Sequence, residues 1–177
     1  MSSGSSLEKS IRSIPNFPKP GIIFRDVTTL IQNKSAFKKS IDLLAKKYKG
    51  KKIDKIVGVE ARGFIFGAAL AYKIGAGFVP VRKKGKLPYK TISTIYELEY
   101  GTDTLEIHKD AIAGGEKILI IDDLLATGGT VKATADLVKQ LQGNIIGIGF
   151  IIELVDLHGR DKLKDYPLFS LVKFYGE

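Results

Sequence analysis

The stretch ILIIDDLLATGGT, residues 118–130, carries the clearest structural signal in this chain. Four branched apolar residues run into two adjacent carboxylates, Asp122 and Asp123, and these lead into a turn of small residues with two glycines between threonines. A short apolar run that ends at turn residues is typical of a buried strand. We therefore predict a strand over 118–121, a tight strand-to-helix turn, and a helix over 130–142.

The segments on either side alternate between strand and helix patterns. The predicted helices cover 35–48, with Ser35 as N-cap, and 63–75. The predicted strands cover 55–60, 77–82 and 144–155, and an antiparallel hairpin is predicted within 94–108 around Gly101. Strands that alternate with helices predict an α/β fold, in which helices flank a central, mainly parallel, twisted sheet with right-handed crossovers.

Composition limits the classes of protein. With 177 residues, of which 44% are hydrophobic and 27% charged, we expect one globular domain over 1–177. The Ser/Gly-rich leader is left out of the fold prediction. No apolar run approaches the roughly 20 residues that cross a bilayer, and the start lacks the apolar centre of a signal peptide. We therefore expect a cytoplasmic protein. The lack of cysteine excludes disulfides and thiolate chemistry.

The net charge of +9 indicates an anionic partner, for which the candidates are nucleic acid, a membrane surface or a polyphosphate metabolite. The basic cluster KKYKGKK at 46–52 follows a predicted helix, where lysines complement the helix dipole. We expect a solvated helix end there. The second cluster, RKKGK at 82–86, directly follows a predicted strand and opens a polar loop, so its position favours a functional role.

Charged residues of both signs follow three of the predicted strands. They are Glu60 and Arg62, Arg82 and Lys83, and Asp122 and Asp123. Ligands of open parallel α/β sheets bind outside the carboxyl ends of the strands, so these residues share one rim. Charges at strand ends are common because such ends are exposed. Three charged strand ends together favour a ligand-binding site.

The small-residue turn has two interpretations. It can present backbone N–H groups and two threonine hydroxyls to a phosphate at a helix N-terminus, or it can be a tight connection capped by Thr127 or Thr130. It lacks the Walker and dinucleotide-binding glycine patterns. Two carboxylates beside a phosphate would act on sugar hydroxyls or on a bridging cation, and Mg²⁺ is held by one or two carboxylates plus substrate phosphates. The expected ligand is a phosphorylated sugar with further phosphate.

The sequence resembles the type I phosphoribosyltransferases, and most closely those members that use adenine. The resemblance runs from about Ser10 to the C-terminus. It is carried by ILIIDDLLATGGT (118–130), FPKPGIIFRDVTTL (17–30), GVEARGFIFGAALA (58–71), VPVRKKGKLP (79–88) and YELEYGTDTLEIHKDA (96–111). It implies the type I phosphoribosyltransferase fold, with a small N-terminal hood for the base within residues 1–34 and a flexible β-hairpin lid.

The resemblance also implies an activity. Adenine and phosphoribosyl pyrophosphate would give AMP and pyrophosphate with Mg²⁺, in a homodimer that has no nucleic-acid or membrane partner. Asp122 and Asp123 would meet the ribose hydroxyls, with Mg²⁺ held near them through the substrate. The residues implied to hold the 5′-phosphate are Ala126, Thr127, Gly128, Gly129 and Thr130.

The diphosphate of the substrate would lie against the turn Glu60-Ala61-Arg62-Gly63. The resemblance places Arg62 on the diphosphate and implies a cis peptide bond in this turn. Arg82 and Lys83 would add positive charge there, with Arg82 reaching into a neighbouring subunit.

The hood and the lid complete the implied site. Phe24 would stack on adenine while backbone groups of Ile23 and Arg25 read its edge. From the residues alone, Phe24 is equally an ordinary core aromatic, and the charges of Arg25 and Asp26 permit a surface ion pair. In the lid, residues 84–101, Glu99 would assist proton transfer at the purine with Tyr100 beside it, whereas the pattern alone permits a solvated hairpin without a role. His108 and His158 are expected at the surface.

Two other functions remain open from the sequence. One is a phosphoribosyltransferase for another nucleobase, which would differ only in its hood contacts. The other is a non-catalytic regulator that senses phosphoribosyl pyrophosphate and binds nucleic acid through its positive charge. Such a regulator normally needs a separate pair of recognition helices, and the predicted elements leave no residues to build one.

Overall fold

The computed structural model describes residues 3–97 and 101–176. The strands are β1 Arg12–Pro15, β2 Ile23–Asp26, β3 Lys55–Val59, β4 Gly77–Lys83, β5 Thr91–Glu97, β6 Thr102–His108, β7 Lys117–Leu125, β8 Asn144–Leu154 and β9 Leu168–Phe174. The α-helices are α1 Ser3–Glu8, α2 Thr28–Gln32, α3 Lys34–Lys47, α4 Arg62–Ile74 and α5 Gly129–Gln140, and 3-10 helices cover Val155–Leu157 and Gly159–Leu163.

The central sheet has seven strands within the described ranges, in the order β5-β6-β4-β3-β7-β8-β9. The five strands from β4 to β9 in that order are parallel, and the hairpin β5–β6 joins β4 in antiparallel fashion. The predicted α/β fold with a mainly parallel sheet is therefore confirmed, and so is the hairpin around Gly101. Because β3 and β7 are neighbours at the centre, their carboxyl ends lie side by side.

Two strands extend further than the apolar pattern predicts. β7 continues to Leu125 and so contains Asp122 and Asp123, because the residues after the carboxylates still pair with β8. β4 likewise includes Arg82 and Lys83, which pair with β6. The prediction that Lys83, Asp122 and Asp123 follow their strands is therefore wrong, whereas Arg82 lies within β4 as the range 77–82 implies. They are held in register by ladder hydrogen bonds at the strand ends.

The N-cap of α3 also differs from the prediction. Asn33, and not Ser35, accepts hydrogen bonds through Oδ1 from the backbone N–H of Ser35 and of Ala36, both at 3.0 Å. Asparagine serves this role as well as serine does, because its oxygen reaches the N2 and N3 donors. The C-terminal end of α3 carries the exposed Lys46 and Lys47, as expected for a solvated helix end.

The core lies on both faces of the sheet, and β7 shows why its sequence is continuously apolar. Leu119 and Ile121 pack in one cluster with residues of α3 and α4, whereas Ile118 and Ile120 pack in another with residues of α5. All four side chains are completely buried. A parallel strand covered on both faces needs apolar residues at every position.

The N-terminal ribbon β1–β2 is separate from the central sheet. The leader, which the fold prediction left aside, takes part in the fold, because α1 buries Leu7 almost completely in the core cluster that also contains residues of β9. The patterns did not predict β1, β2 or β9. No helix in residues 3–97 and 101–176 is long and apolar enough to cross a membrane.

Candidate active site

A cleft of about 270 Å³ lies at the carboxyl ends of β3 and β7. Two turns and the end of β7 form its walls, with the lining residues Glu60, Ala61, Arg62, Asp122, Asp123, Leu124, Leu125, Ala126, Thr127, Gly128, Gly129 and Thr130. The structure thus brings the predicted ribose, phosphate and diphosphate residues of two separate segments into one cavity, at the sheet edge where ligands of this fold class bind.

Asp122 and Asp123 are buried, with 8% and 7% of their surface exposed. Asp122 Oδ1 accepts a hydrogen bond from the backbone N–H of Asp123 at 2.9 Å. Burial and the neighbouring charge of Asp123 raise the pKa of Asp122 well above its ordinary value. A carboxyl group with these surroundings gains from any ligand that donates hydrogen bonds or brings positive charge.

Arg62 lies opposite these carboxylates at the start of α4. Its Nε donates to Asp123 Oδ2 at 2.5 Å, and 47% of its side chain is exposed. Burial would lower the pKa of Arg62, but the charges of Asp123, Asp122 and Asp26 outweigh burial and raise it. The hydrogen bond to Asp123 uses one of five guanidinium N–H donors. Within residues 3–97 and 101–176 the other four donors make no hydrogen bond, so they remain for an anionic ligand.

The turn before Arg62 holds α4 close to β7. The Glu60–Ala61 peptide bond is cis, as the resemblance implied. At Gly63 an added Cβ would lie 2.8 Å from Asp122 Oδ1 and 3.1 Å from the backbone oxygen of Ile121. Glycine is therefore needed there so that the helix start can approach the Asp122 carboxylate.

The turn between β7 and α5 is better suited to binding an anion than to capping of the helix by a side chain. The N-cap of α5 is Gly128, with φ of 79°, and no side chain caps the helix. The alternative in which Thr127 or Thr130 caps it is therefore wrong. The first N–H groups of α5 have no partner within the helix. Since Thr127 is exposed and Gly129 and Thr130 are half-buried, an anion can reach this turn from solvent.

Glu60 and Arg82 form a bidentate pair beside the cleft. Arg82 Nε and Nη2 donate to the two Glu60 oxygens at 3.1 and 3.3 Å, and its Nη1 donates to the backbone oxygen of Lys86 at 3.0 Å. Burial would raise the pKa of Glu60, but the bonds from Arg82 and from the Lys83 N–H outweigh it and lower it. Lys83 Nζ pairs with Asp103 at 3.0 Å. Arg82 and Lys83 therefore adjoin the cleft without lining it.

The hood contributes an aromatic pair. Phe24 is half-buried, stands outside both core clusters, and meets the half-exposed Phe17 edge-on, with ring centroids 5.3 Å apart. The interpretation as an ordinary core aromatic is therefore not favoured. Arg25 donates to Ser13 Oγ at 2.6 Å and its guanidinium lies 4.1 Å from the Phe174 ring centroid.

Asp26 lies at the end of the same strand. Its Oδ1 accepts hydrogen bonds from the backbone N–H and the hydroxyl of Thr28, and its Oδ2 lies 3.9 Å from Arg12 Nη1. The surface ion pair that the sequence permits between Arg25 and Asp26 is thus replaced by contacts with other residues. The backbone groups of Ile23 and Arg25 that would read a base stay a prediction.

The hairpin packs against the start of α5. The backbone oxygen of Glu97 is close enough to Gly129 that an added Cβ there would lie 3.2 Å from it. The predicted catalytic residues Glu99 and Tyr100 lie outside the described residues. His158 is exposed, as expected. The same expectation is wrong for His108, which is half-buried beside the Tyr89 ring.

A metal ion at this site would depend on the substrate. In residues 3–97 and 101–176, no group of three or more His, Asp or Glu side chains could hold a metal. Mg²⁺ usually binds through one or two carboxylates and substrate phosphates, and keeps several waters. The pair Asp122 and Asp123 fits that arrangement.

Comparison with known proteins agrees with this geometry. Residues 26–175 match the phosphoribosyl transferase domain family. An adenine phosphoribosyltransferase of Desulfosudis oleivorans is 56% identical over 171 residues, which cover 97% of this chain and 99% of the relative.

Two solved structures are also similar. The adenine phosphoribosyltransferase of Thermoanaerobacter pseudethanolicus has a TM-score of 0.94 at 55% identity, covering 97% of this chain and 100% of that one. The Saccharomyces cerevisiae enzyme, in complex with an imino-altritol bisphosphate and adenine, has a TM-score of 0.90 at 45% identity, with coverage of 95% and 97%. By its family match and by these relatives, the chain belongs to the adenine phosphoribosyltransferases of the phosphoribosyl transferase domain family.

Proposed function

We propose that this protein transfers the phosphoribosyl group of phosphoribosyl pyrophosphate to adenine, giving AMP and pyrophosphate in purine salvage. The observation that carries the proposal is the cleft in which an uncapped helix start, two buried carboxylates and Arg62 converge. The relatives support adenine over another nucleobase and over a nucleic-acid-binding regulator, since each is an adenine phosphoribosyltransferase.

The turn of residues 126–130 would hold the 5′-phosphate. Its backbone N–H groups supply hydrogen bonds, and the dipole of α5 adds about 0.3–2 kcal/mol, so the hydrogen bonds supply most of the binding free energy. Asp122 and Asp123 would accept hydrogen bonds from the ribose hydroxyls. These contacts fix both ends of the sugar, so that its C1 is presented to the base in one orientation.

In the transfer step, the bond between ribose C1 and the diphosphate oxygen breaks, and its electron pair leaves with pyrophosphate. Adenine N9 forms the new bond to C1 and loses its proton. Arg62 would neutralise charge that develops on the leaving group, which is the kind of preorganised electrostatic stabilisation that lowers a barrier. Arg82 and Lys83 would add to that positive potential from beside the cleft. Mg²⁺, bound with the diphosphate near Asp122 and Asp123, would supply further charge neutralisation.

The base would bind between the hood and the lid. Phe24 would stack on the adenine ring, as its half-buried position beside Phe17 allows. In our proposal Glu99, with Tyr100 beside it, takes up the proton from the base. Closure of the hairpin would exclude water from the cation-like sugar. We also propose a cytoplasmic homodimer, in which Arg82 reaches the neighbouring subunit.

Turnover of phosphoribosyl pyrophosphate with Mg²⁺ tests the proposal, with adenine, hypoxanthine, guanine and uracil offered separately. We expect release of pyrophosphate with adenine as the preferred base. Preference for any other base would reject the specificity. No turnover with any base, together with DNA or RNA binding at physiological salt, would favour the regulator.

A further inference from the structure

The phosphate turn is supported from behind by a second segment, the 3-10 helix Gly159–Leu163. Gly159 is buried, and an added Cβ on it would lie 2.1 Å from the backbone oxygen of Ala126. In return, an added Cβ on Gly128 would lie 2.5 Å from the backbone oxygen of Gly159. The two backbones are therefore in direct contact, and a shift of Gly159 displaces the turn.

An ion pair between the buried Glu153 and the half-buried Arg160 fixes this second segment. Glu153, at the end of β8, is only 2% exposed and forms a bidentate pair with Arg160, in which Arg160 Nε meets Oε1 and Nη2 meets Oε2 at 2.7 Å. Ser170 of β9 donates to the same Oε2 at 2.5 Å, and Arg160 Nη2 also reaches Ser170 Oγ at 3.2 Å. The carboxylate thus ties β8, β9 and the 3-10 helix together.

Both members of the pair adjoin the turn in space. Glu153 is the ladder partner of Leu125, the last residue of β7 before the turn, and Arg160 directly follows Gly159. A buried pair can be replaced by apolar residues with little or no loss of stability. Stability alone therefore does not explain why charged residues stand at this place.

We infer that Glu153 and Arg160 are positioning residues for the phosphate turn, because they hold Gly159 against Ala126 and Gly128. The inference rests on the proposed function, in which this turn binds the 5′-phosphate. Both residues act through Gly159 and neither lines the cleft. Their effect should therefore fall on phosphate binding and not on adenine.

The test uses the double variant Glu153→Met with Arg160→Met, which leaves no buried charge unpaired, and the single variant Glu153→Gln. We expect the KM for phosphoribosyl pyrophosphate to rise about tenfold or more, as expected for a displaced binding element. The KM for adenine at saturating phosphoribosyl pyrophosphate should not change. Calorimetry with ribose 5-phosphate, which needs no turnover, should show the same loss of affinity.

A matched control is the pair Lys55 and Glu116, at 2.9 Å, with side chains 26% and 25% exposed. This pair lies at the amino-terminal ends of β3 and β7, away from the cleft. The double variant Lys55→Met with Glu116→Met should leave both KM values and ribose 5-phosphate binding unchanged, whatever it does to Tm.

Three outcomes decide the inference. A selective loss of phosphate binding in the Glu153 and Arg160 variants, absent from the control, supports it. A lowered Tm with unchanged ribose 5-phosphate binding, or an equal rise in both KM values, overturns it and leaves the proposed function intact. Lack of ribose 5-phosphate binding and of turnover in the unmodified protein overturns both.

Discussion

Asp122 places a carboxyl group where folding alone would favour an apolar side chain. Burial and the charge of Asp123 raise its pKa well above its ordinary value. The folded protein therefore keeps this proton at pH values where the unfolded chain has released it. It follows that the stability contributed by this group falls as pH rises from the unfolded value of about 3.9 towards the raised one. The group is a cost to folding that a ribose hydroxyl would offset.

Asp122→Asn should therefore stabilise the protein and lower its activity. Because Asn keeps the acceptor for the Asp123 N–H, we expect a gain of about 1 kcal/mol at neutral pH, or about 2–4 °C in Tm. The gain should shrink as pH approaches 4, where the native carboxyl is protonated. Loss of a charged hydrogen bond to ribose should lower kcat/KM about 10- to 150-fold. Thermal unfolding across pH and steady-state kinetics measure both effects.

Asp136→Asn is the control, because Asp136 is a half-buried residue of α5 that pairs with Lys132 at 2.5 Å outside the cleft. It should change Tm little. A lower Tm for Asp122→Asn at neutral pH, or full activity, would contradict the assignment.

At the scale of elements, the sequence patterns predicted what depends on neighbours along the chain. The buried β7, the helix after it and the hairpin follow from local periodicity. The N-cap of α5 could not be predicted from local periodicity, because glycine at 128 is required by its contact with Gly159, which lies 31 positions later. The pairing of Arg82 with Glu60 is likewise long-range. The ribbon strands β1 and β2 are four residues each, too short for a pattern.

Gly128→Ala should disrupt the turn between β7 and α5. A methyl group there meets the Gly159 backbone oxygen, and the positive φ adds about 1–2 kcal/mol of backbone cost. We expect weaker ribose 5-phosphate binding by calorimetry. The control Gly115→Ala has φ of 84° but nothing within 4 Å of the added Cβ, so it should lose stability and keep binding. Equal binding by both variants would argue against the turn as the phosphate site.

At the scale of the whole molecule, α4 presents apolar side chains to solvent. Ile65 and Tyr72 are 41% and 92% exposed, and their spacing of seven residues places them on the same helix face. Large exposed apolar residues favour an interface. The homodimer remains our proposal, and this face is a candidate for its contact.

Sedimentation equilibrium should therefore give about twice the chain mass of 19.4 kDa. Tyr72→Arg should shift the protein towards the single-chain mass. Tyr89→Arg, a substitution at another exposed tyrosine, should not. A single-chain mass for the unmodified protein at all concentrations would reject the homodimer.

The central claim is that backbone N–H groups at the start of α5 bind the 5′-phosphate of the substrate, while Asp122 and Asp123 accept hydrogen bonds from its ribose hydroxyls. A crystal structure with AMP bound measures this directly. The account predicts the 5′-phosphate within hydrogen-bond distance of the N–H groups of residues 127–130, and the ribose hydroxyls against the two carboxylates. A phosphate bound elsewhere, with this turn facing only solvent, would contradict it.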